Sequence, residues 1–238
     1  NEGICDDICF YVKAGEIVGF FGLMGAGRSE IARIIFGQDP IQDGEIILCG
    51  EHILTPDPKQ MIEKGMAFVT ENRREEGLFM DDTVVNNLGI VSLPKYSKNP
   101  FRIVNKKDLS TMAGSVTDSL SIKCGSLYKS TAKSLSGGNQ QKVVIGKWMI
   151  SNPVVFILDE PTKGIDVGAK YEVYSVINAL ASQKNAIMFI SSEIEELMGI
   201  CDRILIMSLG KIVGEVERAD FDKEKIIRIA FRQGELAA

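Results

Sequence analysis

Residues 22–29 read Gly-Leu-Met-Gly-Ala-Gly-Arg-Ser, and they match the phosphate-binding loop pattern G-x-x-x-x-G-K-[ST] at every fixed position except one. The exception is Arg28, which replaces the lysine. An apolar run at 16–21 precedes the loop, and an amphipathic run at 29–36 follows it. We therefore predict a strand, a loop and a helix, in which glycine N–H groups and the helix N-terminus attract a phosphate.

Strand and helix patterns alternate along the chain, which is typical of a parallel sheet with right-handed crossovers. Helices are predicted at 139–150, 168–183 and 222–231, and strands at 66–70, 153–158 and 186–190. Residues 8–12 read as a further strand, and turn residues predict antiparallel hairpins around 43–50 and 203–215. The predicted fold class is α/β.

Residues 72–135 differ from the rest because they carry few strand signals and two helical patterns, at 83–93 and 105–120, separated by a loop at 94–100. We interpret this stretch as a helical subdomain inserted into the α/β core. The predicted domain is 1–238, with a core and small β subdomain at 1–71 and 152–238 and a helical subdomain at 72–151. The chain starts without methionine, so we expect a fragment of a longer polypeptide.

Composition limits the function further. The net charge is −5 and the pI about 5.1, which argues against nucleic acid as a partner. No apolar run approaches the roughly 18 residues that span a bilayer, and the N-terminus lacks a signal-peptide pattern. Five cysteines without a C-x-x-C pair predict reduced thiols in a cytosolic protein. His52, the single histidine, lies in a predicted hairpin, which favours a surface role.

An apolar strand that ends in two acids occurs at residues 154–160, Val-Val-Phe-Ile-Leu-Asp-Glu. Such a strand delivers carboxylates to the carboxyl edge of a parallel sheet, where a phosphate loop also lies. Asp159 would then hold Mg²⁺ together with the Ser29 hydroxyl, and Glu160 would act as general base towards water. The alternative is an acidic helix cap after a core strand, and the phosphate loop earlier in the chain makes that alternative weaker.

A second anion-binding pattern occurs at residues 135–142, Leu-Ser-Gly-Gly-Asn-Gln-Gln-Lys. Ser136 can cap the predicted helix that follows, and the two glycines expose its first N–H groups. One nucleotide does not require two such sites in one domain, so this segment is expected to serve a nucleotide held by another domain. A glycine-rich turn before a helix is the alternative, and it explains any two of these residues better than all eight.

Together these motifs resemble those of the ATP-binding cassette (ABC) transporter ATPases, in the order phosphate loop, helical insert, signature, Walker B and D-loop. Three longer strings, at 69–73, 159–170 and 191–199, are similar to the second, C-terminal cassette of bacterial monosaccharide importers of the ribose, galactose and xylose type. In that family two cassettes share one polypeptide. The resemblance implies a P-loop NTPase fold of the RecA-like kind, with a small antiparallel β subdomain and an inserted helical subdomain.

The resemblance also implies a role for each motif. ATP would lie on the phosphate loop, with Mg²⁺ on Ser29 and Asp159 and with Glu160 as the hydrolytic base. The implied nucleotide-binding residues are Gly22, Leu23, Met24, Gly25, Ala26, Gly27, Arg28, Ser29 and Glu30. The implied signature residues, which would contact ATP on a partner cassette, are Leu135, Ser136, Gly137, Gly138, Asn139 and Gln140. Asp166 would lie in the D-loop at the dimer interface.

The implied partners are the first cassette of the same polypeptide or a dimer mate, membrane permease subunits and, indirectly, a periplasmic or extracellular sugar-binding protein. Residues 71–93 would dock the permease, and the chain would lie peripherally on the cytoplasmic face of the membrane. The sequence does not name the sugar.

Four positions depart from the family pattern. Arg28 replaces the lysine, Glu71 replaces the glutamine of the Q-loop, and Ser192 stands where a switch histidine is usual. The fourth change, Asn139-Gln140 after the signature glycines, is mild. We favour an ATPase assembly in which this half binds ATP weakly and hydrolyses it slowly or not at all. The alternative is a catalytically inactive regulatory cassette with little or no nucleotide binding. The signature argues against a P-loop kinase or GTPase.

Overall fold

The computed structural model describes residues 5–97 and 103–232, and it contains a six-stranded sheet and a separate two-stranded hairpin. The strands are β1 Ile17–Gly22, β2 Ile46–Leu48, β3 Glu51–Ile53, β4 Met66–Val69, β5 Val155–Asp159, β6 Ala186–Ile190, β7 Arg203–Ser208 and β8 Lys211–Glu217. The helices are α1 Arg28–Phe36, α2 Pro58–Glu63, α3 Val84–Gly89, α4 Leu93–Tyr96, α5 Lys106–Ser119, α6 Gly137–Met149, α7 Val167–Ser182, α8 Ile194–Ile200 and α9 Lys223–Arg232.

The large sheet has the strand order β4-β5-β6-β1-β7-β8. Strands β5, β6, β1 and β7 pair in parallel, and β8 is antiparallel to β7. Every residue of β1, β6 and β7 is buried, which is typical of strands with both faces covered. The hairpin β2–β3 is antiparallel. The predicted α/β class, with a parallel core and a small antiparallel sheet, is confirmed.

Contacts within the chain divide it into two units. The first unit contains residues 1–68, 154–160 and 178–238, and therefore holds almost all of the large sheet. The second contains residues 69–153 and 161–177 and is helical. In the second unit α6 packs against α3 and α5. A Cβ at Gly146 of α6 would lie 2.9 Å from the side chains of Leu88 and Val116, so a glycine permits this close helix packing.

The predicted strand at 8–12 is wrong, because these residues have no regular structure. The segment has no ladder of hydrogen bonds to a neighbouring strand. Side-chain contacts and single hydrogen bonds hold it instead. The Phe10 ring contacts the Phe20 ring edge-on at 5.0 Å, and the Arg203 guanidinium donates to the Tyr11 carbonyl. The segment is therefore fixed to β1 and β7 without extending the sheet.

One further expectation, the loop at 94–100, needs correction. The predicted loop at 94–100 begins instead in helix α4, and residues 98–100 lie outside the described residues. The charged residues at 72–76 form a π-helical turn, Arg73–Gly77, which buries Arg73.

His52 is exposed and pairs with Glu45, as predicted for a surface histidine. None of the helices in the described ranges is long and apolar enough to cross a bilayer.

Lys147 on α6 is a buried cation, with 8% of its surface exposed. Its Nζ donates to the Gly77 carbonyl at 2.6 Å. Burial lowers the pKa of Lys147 from 10.5 to about 8. Between these two values the unfolded chain keeps a proton that the folded chain has lost, so the free energy of unfolding rises with pH across that window. Below pH 8 both states carry the proton, so Lys147 adds no pH dependence to the free energy of unfolding there.

We expect the free energy of unfolding of the wild type, measured with urea, to rise relative to that of Lys147→Met between pH 8 and 10.5. The rise should be about 1–3 kcal/mol, with the pKa shift setting the upper bound. The difference between the wild-type and variant free energies of unfolding removes the contribution of the other groups that titrate in this range. The same comparison with Lys129→Met, at an exposed position, should show no trend with pH. A wild-type minus Lys147→Met difference that is flat with pH would contradict the assignment.

Candidate functional site

The phosphate loop joins β1 to α1 in the first unit, as predicted. Gly27 precedes α1 with φ 96°, a left-handed conformation that favours glycine, and no side chain caps this end of the helix. The first N–H groups of α1 have no partner within the helix and therefore suit an anion. An open space lies beside Gly25, where a Cβ would meet no atom within 4 Å. The local geometry fits a phosphate group.

The two predicted carboxylates lie at the same sheet edge as the loop. In the parallel register Ile190 of β6 pairs with Phe20 on one side and with Asp159 on the other. The three strands therefore end together. Glu160 follows β5 with φ 46°, and its N–H donates to the Ile190 carbonyl at 3.0 Å. This left-handed turn is uncommon for a glutamate, and it occurs where active sites often hold strained backbone.

Arg28 and Glu160 form an ion pair. Arg28 Nη1 lies 3.6 Å from Glu160 Oε1, and the two side chains are only 13% and 11% exposed. Arg28 Nη1 is buried, and it has no hydrogen-bond partner among the residues that the structure describes. A buried donor in this state is costly, and a phosphate oxygen would satisfy it. Glu160, the predicted general base, is therefore paired with Arg28, the residue that replaces the lysine. Glu160 and a bound phosphate would compete for the same guanidinium.

The metal-binding expectation rests on Ser29 and Asp159. Ser29 lies in the first turn of α1, and Asp159 ends β5 with 3% of its surface exposed. A hydroxyl, a carboxylate, phosphate oxygens and water are the oxygen ligands that Mg²⁺ prefers. In the described ranges no group of three His, Cys, Asp or Glu side chains could hold a metal ion. The donor set fits a cation that arrives with a phosphate ligand.

The switch position lies after β6. Ser192 is exposed, and the neighbouring Ser191 is buried. Ser191 Oγ donates to the buried carboxylate of Glu196 at 2.9 Å and accepts from the Glu193 N–H at 3.0 Å. Both bonds lie beside the start of α8, whose N-cap residue, Glu193, makes no side-chain cap hydrogen bond. The Ser192 side chain is a short hydroxyl, which is neither a strong base nor a cation.

Cys5 was not identified from the sequence as a neighbour of the phosphate loop. Its Sγ donates to the Gly27 carbonyl at 3.6 Å. Burial, and secondly the charge of Glu30, raise the pKa of the Cys5 thiol to about 11. The thiol therefore stays protonated and unreactive at neutral pH. No sequence pattern distinguished Cys5 from the other four cysteines.

The signature segment, residues 135–140, lies in the second unit and leads into α6. Ser136 Oγ accepts from the Asn139 N–H at 3.4 Å, which confirms the predicted cap. Helix α6 begins at Gly137, two residues before the predicted start. Asn139 Nδ2 also donates to Ser136 Oγ at 2.9 Å, so the hydroxyl is held beside the helix N-terminus. Ser136 itself is exposed and free to meet another molecule.

Residues 163–166, called the D-loop segment because they contain the D-loop predicted at 164–166, lie in the same unit. The Asp166 side chain accepts from the Ala169 N–H at 2.9 Å, next to the start of α7. A cavity of about 310 Å³ separates it from the signature segment and is lined by Lys123, Ser136, Gly138, Asn139, Asp166, Gly168, Ala169 and Glu172. Glu71, at the Q-loop position, forms an ion pair with Lys163. The structure therefore brings three predicted motifs of the second unit into contact.

The comparisons with known proteins agree with this geometry. The model of the family described as "ABC transporter" matches residues 5–163. A ribose import ATP-binding protein, RbsA, of Bacillus subtilis (strain 168) is 42% identical over 96% of this chain and 46% of its own length. The corresponding RbsA 1 of Rubrobacter xylanophilus is 42% identical over 100% of this chain and 47% of its own. The chain spans less than half the length of these relatives.

Solved structures show the same fold at low identity. An ATP-binding cassette called MJ1267 superposes with a TM-score of 0.81 at 20% identity, over 95% of this chain and 92% of its own. A dimeric cassette called MJ0796, bound to ADP and Pi, gives 0.77 at 19% identity over 92% of each chain. The phosphate loop, the paired carboxylates and the signature segment define an ATP-binding cassette. The chain belongs to the ABC transporter family.

The ion pair yields a binding prediction. Glu160→Gln releases Arg28 for phosphate and removes a nearby negative charge, so the affinity of the chain for ATP with Mg²⁺ should rise. A partly exposed pair is worth about 1 kcal/mol, which corresponds to roughly a fivefold lower Kd. Isothermal titration calorimetry measures this change. Glu217→Gln, which removes the same charge from an exposed position on β8, should leave Kd unchanged. An unaltered Kd in Glu160→Gln would show that the pair does not compete with nucleotide.

Proposed function

We propose that this chain is a nucleotide-binding cassette that helps to energise monosaccharide import, and that its own site holds ATP without hydrolysing it at an ordinary rate. One observation carries the proposal: Arg28 and Glu160 pair with each other at 3.6 Å inside the phosphate site. A carboxylate that pairs with a guanidinium is a weaker base towards water. The guanidinium is also larger and more planar than the ammonium it replaces, so it cannot take the lysine's place between two phosphates unchanged.

The size of the effect follows from the contacts that are altered. Each lost contact to a phosphate oxygen costs about 2–4 kcal/mol of transition-state stabilisation. Arg28 alters one such contact and Ser192 removes another. Two losses slow turnover by roughly a thousandfold or more. Glu160 is retained, which argues for residual activity, but it is engaged with Arg28.

The second part of the proposal is that the signature segment acts in trans. Ser136 is exposed at the N-terminus of α6, where its hydroxyl and the helix N–H groups would suit the γ-phosphate of a nucleotide on another cassette. Leu135, Gly137, Gly138, Asn139 and Gln140 complete the segment, and Asp166 would meet the partner from the D-loop segment. The hydrolysed ATP in this account belongs to the partner site, and this chain supplies donors to it.

The assembly is inferred from the relatives. The ribose import proteins are about twice as long as this chain, which supports a second cassette in the same polypeptide or a dimer mate. We propose that membrane permease subunits dock on residues 71–93, that a sugar-binding protein delivers the monosaccharide, and that the chain lies on the cytoplasmic face of the membrane. ATP and Mg²⁺ would be the cofactors. We further propose a core at 1–71 and 152–238 and a helical subdomain at 72–151.

A second candidate function is a regulatory cassette with little or no nucleotide binding. The observation that favours it is again the ion pair, because Glu160 neutralises the one cation of the loop. A binding isotherm for ATP with Mg²⁺ distinguishes the two candidate functions. Saturable binding of ATP with Mg²⁺ at millimolar or lower Kd supports the holding site, and no detectable binding supports the regulatory cassette.

The trans role predicts the effect of Ser136→Arg in the full two-cassette protein. A bulky cation at this position blocks approach of the partner's γ-phosphate, so steady-state ATPase activity should fall about a hundredfold or more. The fall should be as large as that caused by replacing the first cassette's own catalytic base.

The matched control is Ser115→Arg, which places the same side chain on the exposed face of α5. It should retain the ATPase activity of the wild type within about twofold. ATPase activity that survives Ser136→Arg would show that the signature segment does not serve a partner site.

A further inference from the structure

Arg73 is a buried residue that none of the motif roles uses. It opens the π-helical turn of the second unit, two residues after Glu71, and only 9% of its surface is exposed. A guanidinium normally stays in water or pairs with a carboxylate when buried. Among the described residues no carboxylate pairs with Arg73. Its burial must therefore be compensated by other acceptors.

Those acceptors belong to the two segments that carry the proposed trans role. Arg73 Nη1 donates to the Lys163 carbonyl at 2.6 Å, and Nη2 donates to the Gly164 carbonyl at 3.0 Å. Arg73 Nε points to Gln140 Oε1 of the signature segment at 3.4 Å. One planar group thus joins the D-loop segment to the signature segment through three donors. A lysine cannot reproduce this fork, because an ammonium is a single point of charge.

Gln140 extends the connection to the other end of the signature segment. It is 2% exposed, and its Nε2 donates to the Ala132 and Leu135 carbonyls, each at 3.2 Å. The orientation of this amide is therefore fixed from both sides, with the oxygen towards Arg73. The chain of contacts runs from the D-loop segment through Arg73 and Gln140 to the residue that precedes Ser136.

The signature glycines pack closely against Arg73 and the D-loop segment. A Cβ at Gly137 would lie 3.1 Å from Arg73 Nη2 and 3.4 Å from the Gly164 carbonyl oxygen. A Cβ at Gly138 would lie 2.4 Å from the Cβ of Ala169, shortly after the D-loop segment. The Glu71–Lys163 ion pair links the D-loop segment to the chain just before the π-helical turn, in addition to the bonds of Arg73. The signature glycines therefore serve contact with the D-loop segment as well as exposure of N–H groups.

We propose that Arg73 is a positioning residue, which holds the D-loop segment and the signature segment in one arrangement so that both meet the partner cassette together. The inference rests on the proposed function, because it assumes that these segments act on a nucleotide held in trans. Arg73 touches neither nucleotide nor reacting atoms in this account. It acts through the two segments, and a small displacement of such groups lowers turnover strongly.

The test uses Arg73→Lys in the full two-cassette protein, with Arg228→Lys as the matched control. Arg228 is an exposed arginine on α9, outside the segments that carry a proposed role. We expect steady-state ATPase turnover to fall about tenfold or more in Arg73→Lys and to stay within about twofold of wild type in Arg228→Lys. Gln140→Met, which removes only the signature side of the connection, is the second variant and should give an intermediate loss.

Hydrogen exchange followed by mass spectrometry separates positioning from general stability. In Arg73→Lys, peptides that cover 135–141 and 161–167 should exchange faster, while α5 peptides stay as in wild type. In Gln140→Met only the 135–141 peptide should exchange faster. Faster exchange throughout the second unit, α5 included, would overturn the proposal, because Arg73 would then only stabilise the fold.

Ser136→Arg in the same assay separates this inference from the proposed function. If Ser136→Arg abolishes ATPase turnover while Arg73→Lys retains it, the positioning role of Arg73 is wrong and the trans role of the signature stands. If Ser136→Arg retains turnover, the proposed function fails first and the positioning role fails with it. A fall in both variants, with exchange confined to the two segments, is the result we expect.

Discussion

The parallel pairing of β6 between β1 and β5 is the constraint on which the candidate site depends. Because Ile190 pairs with Phe20 on one side and Asp159 on the other, the phosphate loop and the two carboxylates end at the same edge. This register brings Glu160 within reach of Arg28. Arg28 therefore places a guanidinium beside this carboxylate, where the phosphate-loop pattern has a lysine.

The two units carry different parts of the candidate site. In the first unit Arg28 pairs with Glu160, and under the proposed function this pair weakens the phosphate site towards its own nucleotide. In the second unit Arg73 connects the signature and D-loop segments. The proposal that this cassette serves its partner's nucleotide accounts for both features.

The sequence predicted the fold class, the hairpins, the phosphate loop and the Ser136 cap, because each depends on local patterns of apolar residues, glycines and capping side chains. It did not predict the Arg28–Glu160 pair, which joins the start of α1 to the residue after β5 and depends on the register of the sheet. It also did not indicate that Arg73 is buried, because the next three residues are charged and nothing local indicates that its acceptors lie at 140, 163 and 164. The prediction of a strand at 8–12 was wrong because the apolar residues of this segment pack through side-chain contacts, without a ladder of backbone hydrogen bonds.

The most direct test of the account is a single-turnover measurement on the isolated chain. The chain is mixed with substoichiometric radiolabelled ATP and Mg²⁺ at a protein concentration above Kd, and the bound nucleotide is analysed over time. The account predicts that the label stays as ATP for many minutes, with Glu160→Gln giving the same time course. Conversion to ADP at about 1 s⁻¹ or faster, abolished by Glu160→Gln, would show an ordinary catalytic site and would contradict it.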